Sequence, residues 1–392
     1  MPKPMCSAIH HGLCITAFGT VNPCCSSAPF TKIDQIKNIK EHWFAKDTDL
    51  QAARDNEWEG GVLPACTHCY LKDEKGIMSR KAKMAKWWPF IDEEYTKKNT
   101  HDIVHMDISF GNTCNQKCIM CTSRFSSQWL EDDKILVEEA PYIRSKLSTI
   151  EKNWSLSYEQ IDQIIALITD ETRKIEFKGG EPMYDKRFYY FVKKAMEINP
   201  NISFSVCTNA SFFNKKSIDF INSIPRIDIN VSIDGINEMY DWIRGFEFSK
   251  VNESFRYFLK HCKVKPIINF TTMRYNLDRF EQMYNWAADL TEEYNKPINM
   301  HFTQIVQNPK YMSPEYADKH IIQRAIDQLN YINTDPRGIN PLPVFYERNN
   351  MMIKFLETQC LPKEINDEDR RLIAKTDEHM EKIRGYKFDP NM

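Results

Sequence analysis

The sequence predicts an α/β fold on a parallel sheet, open or partly closed into a barrel. Between about residues 105 and 306, six short apolar runs alternate with amphipathic stretches, the pattern of strands joined by crossover helices. At 392 residues, with 42% hydrophobic residues and 23 Phe, the chain is long and apolar enough for one large domain plus a smaller one. No run of about 18 apolar residues occurs, and His10, His11 and Pro23 interrupt the first stretch. Neither a membrane span nor a signal peptide is expected, and the cytoplasm is the expected location.

In chain order, residues 1–75 read as a small Cys-rich α+β domain with few long helical patterns, Gly19–Pro23 being a hairpin turn between short strands. Residues 76–104 are a basic, aromatic link. The core, 105–310, has strands at Met106–Phe110, Lys174–Phe177, Ile202–Cys207, Ile227–Ile233, Ile267–Thr272 and Ile298–Ile305. Helices are expected at Asp185–Ile198, Lys215–Ser223, Lys250–His261 and Asn276–Tyr294, where apolar residues recur at helical spacing. Residues 311–392 read as a helical C-terminal region, a cover or lid. Its first helix opens on Ser313-Pro314 and runs to Ile332, followed by Pro343–Glu357 and Asp367–Arg384.

Charge excludes little but one class. Lys+Arg 52 against Asp+Glu 54 leaves −2, so no global basic field announces nucleic acid. The stretch Arg80–Lys86 with Trp87 and Trp88 is read as a solvated helix entering a core contact rather than a nucleic-acid platform. The 12 cysteines are unevenly placed: six before residue 70, three at Cys114, Cys118 and Cys121, and Cys207, Cys262 and Cys360 alone. In a reducing compartment metal ligation explains them better than a disulfide framework. The three isolated ones are read as buried small hydrophobes.

Met106–Phe110 runs into Cys114-x3-Cys118-x2-Cys121. Three thiolates this close can hold three irons of a cubane and leave the fourth open to a small chelating ligand. A structural zinc knuckle is the alternative, although no fourth ligand follows nearby. The loop follows the first strand, on the sheet edge where parallel α/β folds build their sites.

These residues resemble the signature of the radical SAM enzymes. Phe177-Lys178-Gly179-Gly180-Glu181-Pro182 is similar to the family's Gly-Gly-Glu-Pro segment, and Val231-Ser232-Ile233-Asp234-Gly235 to its Ser-Ile-Asp-Gly segment. The three matches cover roughly residues 105–306; Met120 stands where the family often has an aromatic residue. The resemblance implies a partial (β/α)6 TIM-like barrel with a [4Fe–4S] cluster and S-adenosylmethionine (SAM). It implies roles for Gly179, Gly180 and Glu181 at the SAM amine, glycine letting the backbone come close. Thr208, Asn209, Ser232 and Asp234 would meet ribose or carboxylate, Arg244 a carboxylate, and Ile305 and Val306 adenine. Taken singly, Gly-Gly-Glu-Pro and Asp-Gly are ordinary turns and Arg244 an ordinary surface ion pair; order and spacing carry the reading.

Cys6, Cys24, Cys66 and Cys69 can converge as four thiolates from a hairpin and a C-x2-C turn, with Cys14 and Cys25 as spares. Spacing alone does not choose zinc or a four-ligand iron–sulfur cluster. Gly19–Cys24, Trp43 and Pro64–Cys69 resemble the twitch (shortened SPASM) segment, which implies an auxiliary [4Fe–4S] cluster, although here the segment precedes the barrel. His10, His11, His42, His68, His101 and His105 show no metalloprotease or two-His-carboxylate spacing. Lys178, Asn269, Thr271 and His301 are polar residues able to face the barrel interior; none is assigned as a base.

The expected activity is reductive cleavage of SAM to a 5′-deoxyadenosyl radical that takes hydrogen from a substrate. The substrate is expected to be a peptide, protein or small molecule, and the electron donor flavodoxin- or ferredoxin-like. The alternative is a non-catalytic iron–sulfur or zinc protein for electron transfer or binding.

Overall fold

The computed structural model describes residues 6–74, 78–339 and 343–389. The first five residues of the Cys-rich segment, its boundary at 75/76, and residues 340–342 and 390–392 of the C-terminal region lie outside the described residues. The chain divides into two compact units, Met1–Thr113 with Asn153–Val206, and Cys114–Lys152 with Cys207–Met392.

In the first unit, β1 (Gly12–Ile15) and β2 (Thr20–Asn22) form a hairpin extended by β3 (Thr31–Lys32). β1 also pairs in parallel with β4 (His105–Ile108), Cys14 standing opposite Asp107. The Cys-rich segment therefore adds strands to the sheet that continues through β5 (Lys174–Phe177) and into β6 (Ser203–Thr208). Side chains alternate across these strands. Met106, Ile108, Ile175, Phe177, Phe204 and Val206 form a dry face, against which Phe188 and Phe191 of helix Lys186–Ile198 pack at 5.1 and 5.6 Å from the Phe177 ring. The intervening residues, His105, Asp107, Glu176 and Lys178, point the other way.

In the second unit, β7 (Ile227–Ser232), β8 (Pro266–Thr272) and β9 (Asn299–Ile305) are parallel neighbours. Helices Asn237–Arg244, Phe248–His261 and Phe280–Tyr294 connect or cover them. Phe280 lies 4.6 Å from Phe302 and Phe270 5.3 Å from it, ring to ring, sealing β8 and β9 to their helix. The strands β4 to β9 are the six read from the sequence, and the architecture is a partial (β/α)6 TIM-like barrel whose sheet does not close. Among the described residues no helix is long and apolar enough to cross a membrane.

Several local expectations change. The hairpin turn sits at 16–19, where Thr20 N–H bonds Thr16 Oγ1 and Gly19 takes φ +81°, so Thr20–Asn22 is strand rather than turn. Cys66–Cys69 lies in a helical segment, Pro64–Cys66 leading into Thr67–Glu74. A ten-residue helix, Asp49–Trp58, occupies the segment expected to have few long helices. Helix Phe280–Tyr294 starts four residues late because the Asn276 amide is used in a loop, donating to Asp234 O and Thr271 O. The Ser313 cap serves only a short turn, Pro314–Tyr316; Ala317 is extended, and the helix proper is Lys319–Ile332.

Candidate active site

The cysteine loop has irregular backbone, so its peptide groups need partners from elsewhere. Trp129 Nε1 donates to Cys118 O at 2.9 Å, and Ser126 Oγ to Gln116 O at 2.6 Å. Arg144, almost fully buried, donates to Ile119 O at 3.2 Å and to Cys121 O, while its Nε meets Asp133 Oδ1 at 2.8 Å. Asp133 Oδ2 in turn accepts from Ser123 N at 2.6 Å. On its other side the loop donates from Lys117 N to Arg244 O and from Ile119 N to Ile243 O, at 3.2 and 2.9 Å. The backbone is tied down, and among the described residues none of the three thiols is in a disulfide.

Burial pushes the Cys118 and Cys121 thiols up, and for Cys118 the Arg244 guanidinium opposes it. Arg244 Nη1 lies 3.6 Å from Cys118 Sγ, and Arg244 Nε forms an ion pair with Asp234 Oδ2 at 2.6 Å. Asp234 is wholly buried after β7, its other oxygen accepting from Thr271 N at 2.7 Å. Arg244 is therefore a buried link between Asp234 and the cysteine loop, not a surface ion pair. The Asp234 carboxylate is engaged with Thr271 and Arg244, which makes it the holder of Arg244.

Beside Cys114, Asn209 Nδ2 donates to Asn115 Oδ1 at 2.8 Å and approaches Cys114 Sγ at 3.9 Å. Thr208 is buried and accepts from Ala210 N at 3.2 Å, part of a turn in which Ala210 has φ +62°. Ser232 is the half-buried last residue of β7. Val306, bonded by its N–H to Thr272 O, belongs to an apolar cluster with Ile119, Trp129, Trp242 and Met312. Ile305 ends β9.

In the first unit the glycine segment packs on the chain that leads into the loop. A Cβ on Gly180 would lie 2.5 Å from Thr113 O, one on Gly179 2.6 Å from Ser109 Oγ, and both residues have positive φ. The immediate need for glycine here is thus the protein's own packing, against backbone at Gly180 and against the Ser109 and Ala17 side chains at Gly179. Glu181 N donates to Thr113 O at 2.8 Å, and its buried carboxylate accepts from Met183 N at 3.1 Å.

The same unit brings Cys6, Cys24, Cys66 and Cys69 to one cavity, shared with Glu57 and Arg80. Burial pushes Cys6 and Cys66 up to about 11 and Cys24 to about 12. Glu57 holds Cys6 N at 2.8 Å and pairs with His10 Nε2 at 3.0 Å. Cys25 bonds the Asp107 side chain instead, and Cys14 stays on β1. Arg80 Nε is buried without a hydrogen-bond partner among the described residues. Four soft donors and that unused N–H fit a sulfur-rich metal centre.

Sequence reading missed the group that Arg80 enters. Its Nη2 meets His105 Nε2, Asp107 Oδ2 and Glu176 Oε2 at 3.0, 3.1 and 3.4 Å, and Lys178 Nζ donates to Asp107 and Glu176 at 2.7 and 2.9 Å. Burial opposes the Glu176 charge, but His105, Lys178 and Arg80 hold its carboxyl well below the usual range. The alternation His105/Asp107 and Glu176/Lys178 on adjacent strands was the available signal. Arg80 and Lys178 neutralise the Asp107 and Glu176 carboxylates, and the Arg80 side chain is 11% exposed rather than solvated. Cys262 and Cys360 are buried as expected, whereas Cys207 is half-buried.

The Radical SAM superfamily model matches residues 108–287. Two curated proteins named GTP 3′,8-cyclase are similar. That of Campylobacter lari is 25% identical over 35% of this chain and 36% of its own length. That of Sulfurimonas denitrificans is 26% identical over 57% and 61%. The chain thus spans less than two thirds of the length of these relatives. Among solved structures, Streptococcus suis SuiB bound to S-adenosylmethionine is 15% identical over 65% of this chain and 50% of that one, with a TM-score of 0.37. TYW1 with a lysine-pyruvate adduct bound is 17% identical over 63% and 80%, with a TM-score of 0.34. Residues 108–287, which run from the end of β4 through the cysteine loop and contain the Gly-Gly-Glu-Pro and Ser-Ile-Asp-Gly segments, match the Radical SAM superfamily.

Proposed function

We propose that this protein is a radical SAM enzyme with two iron–sulfur centres, acting on a peptide or protein. Cys114, Cys118 and Cys121 hold a [4Fe–4S] cluster with one open iron; Cys6, Cys24, Cys66 and Cys69 close a second, auxiliary [4Fe–4S] centre. When bound there, the cluster and SAM would supply one-electron chemistry, an electron from the external donor cleaving SAM to methionine and a 5′-deoxyadenosyl radical able to take a hydrogen atom from substrate. Arg244 compensates the Cys118 thiolate, and Asp234 keeps the guanidinium in place. Glu181 balances the SAM amine. Thr208, Asn209 and Ser232 serve the ribose and carboxylate, and Ile305 and Val306 line the adenine side. The N-terminal residues 1–75 carry the second centre, 105–310 the radical core, and 311–392 its helical cover. An external flavodoxin- or ferredoxin-like donor supplies the electron.

The observation that carries the radical chemistry is the tethered three-thiolate loop with Arg244 against Cys118. The shared four-cysteine cavity supports the second centre, and the twitch-like segment supports the peptide substrate. Anaerobic reconstitution tests both centres: about eight irons per chain are expected, with 5′-deoxyadenosine released on adding reductant and SAM. About four irons plus one zinc would overturn the second cluster alone. A fully loaded protein that releases no 5′-deoxyadenosine would favour a non-catalytic electron carrier. A nucleotide substrate is the second reading, favoured by the two similar proteins named GTP 3′,8-cyclase. Incubation with GTP, read by mass spectrometry for loss of GTP and a new nucleotide product, decides between them.

A further inference from the structure

We infer that the C-terminal helix latches the cysteine loop, with Arg384 as a positioning residue for the cluster and for SAM. The inference rests on the radical SAM reading of that loop. Helix Asp367–Arg384 ends at Gly385, and the side chain of its last residue crosses to two other segments. Arg384 Nε donates to Trp242 O at 2.7 Å, and Nη2 donates to Lys117 O at 2.6 Å and Ile243 O at 3.3 Å. Trp242 and Ile243 lie in the last turn of helix Asn237–Arg244, whose final carbonyls have no partner within that helix. A guanidinium there satisfies them and complements the helix dipole.

The consequence falls on Cys118. The residue before it, Lys117, has its N–H on Arg244 O and its C=O on Arg384, so both sides of that residue are held. The Cys118 thiol meets Arg244, whose own helix end Arg384 secures. Gly245 makes the room: it has φ +60°, and a Cβ there would lie 2.7 Å from Arg384 Nη1 and 2.9 Å from Lys117 O. The helix behind the arginine is fastened independently. Met380 joins the apolar cluster that includes Ile119 and Val306. Tyr275 OH donates to Asp377 at 2.6 Å, and the Phe388 ring packs 5.3 Å from Trp242 and 5.0 Å from Tyr275. Removing only the guanidinium therefore leaves the helix its packing. Lysine is no substitute, since a point charge cannot serve carbonyls on two segments as a planar fork does.

The test compares wild type with Arg384→Ala and Arg384→Lys in the full chain. In cofactor-free protein, hydrogen exchange of the segment around Lys117–Ile119 should accelerate in Arg384→Ala while the melting curve holds. In reconstituted protein, the SAM-induced change in the reduced-cluster EPR signal should weaken. The KM for SAM should rise about tenfold, the loss typical of a residue that orients a metal ligand. Lysine should fail to rescue, and added guanidinium should restore part of the loss. Gly245→Ala, which displaces the guanidinium without deleting it, should reproduce the defect and serves if Arg384→Ala does not fold. An Arg384→Ala protein with wild-type exchange and a KM for SAM within about twofold overturns the latch. A wild type that shows no SAM-dependent EPR change overturns the radical reading beneath it.

Discussion

The cysteine loop and the N-terminal cavity present the same donor chemistry by opposite routes. The loop carries three thiols within eight residues, Cys114 to Cys121, and its backbone is held by residues as remote as Arg144 and Arg384. The cavity collects four thiols from 64 residues, Cys6 to Cys69, through the packing of a hairpin and short helices. Their charges differ as well. Arginines surround the loop, whereas the cavity mixes Glu57 with Arg80 and Lys81. Net charge and hydrogen bonds set cluster potentials, so clusters held at the two places, as proposed, would differ electronically and not only in openness.

The strongest way to break this comparison is to change Cys114, Cys118 and Cys121 to alanine together. All SAM cleavage should vanish, read as 5′-deoxyadenosine, while about four irons remain in the cavity. Changing Cys66 and Cys69 to alanine should do the reverse: about four irons are lost, SAM cleavage persists, and product formation fails. If both variants lose all iron, the two centres are not independent.

Arg144→Met sharpens the contrast in stability. It strands Asp133 in the interior, and breaking one side of a buried pair costs roughly 3–5 kcal/mol. Denaturant unfolding should show that loss, and removal of both charges together should recover part of it. The smallest effect belongs to the N-terminal side. Burial pushes His11 down from 6.5 to about 4, its ring held by Asp102 O and Thr96 Oγ1. A group with a depressed folded value contributes stability above its unfolded value that is lost as pH falls. Stability should therefore decline between about pH 6.5 and 4 by an amount on the order of 3 kcal/mol. His11→Asn should flatten that decline in pH-dependent melting.

Much of the core was legible because it is periodic or local. Lys174–Phe177 and Lys215–Ser223 are found with the expected bounds, since strand alternation and helical spacing are written residue by residue. The boundaries that moved depend on distant partners. Asn276 delays a helix because its amide is bonded to Asp234 O, and Gly19 closes a turn rather than opening one.

By itself the sequence determined the six alternating strands, the three-cysteine loop and the glycine segment, because each is encoded by neighbours within a few residues. Only the tertiary structure decided that Cys24 shares the cavity while Cys25 turns to Asp107. It alone buried Arg244 against Asp234 and Cys118 and brought Arg384 to Lys117 across 267 positions of chain. The physical reason is common to all of these: a buried charge or an irregular loop is satisfied by whichever partner packing delivers, and that partner leaves no mark in local spacing.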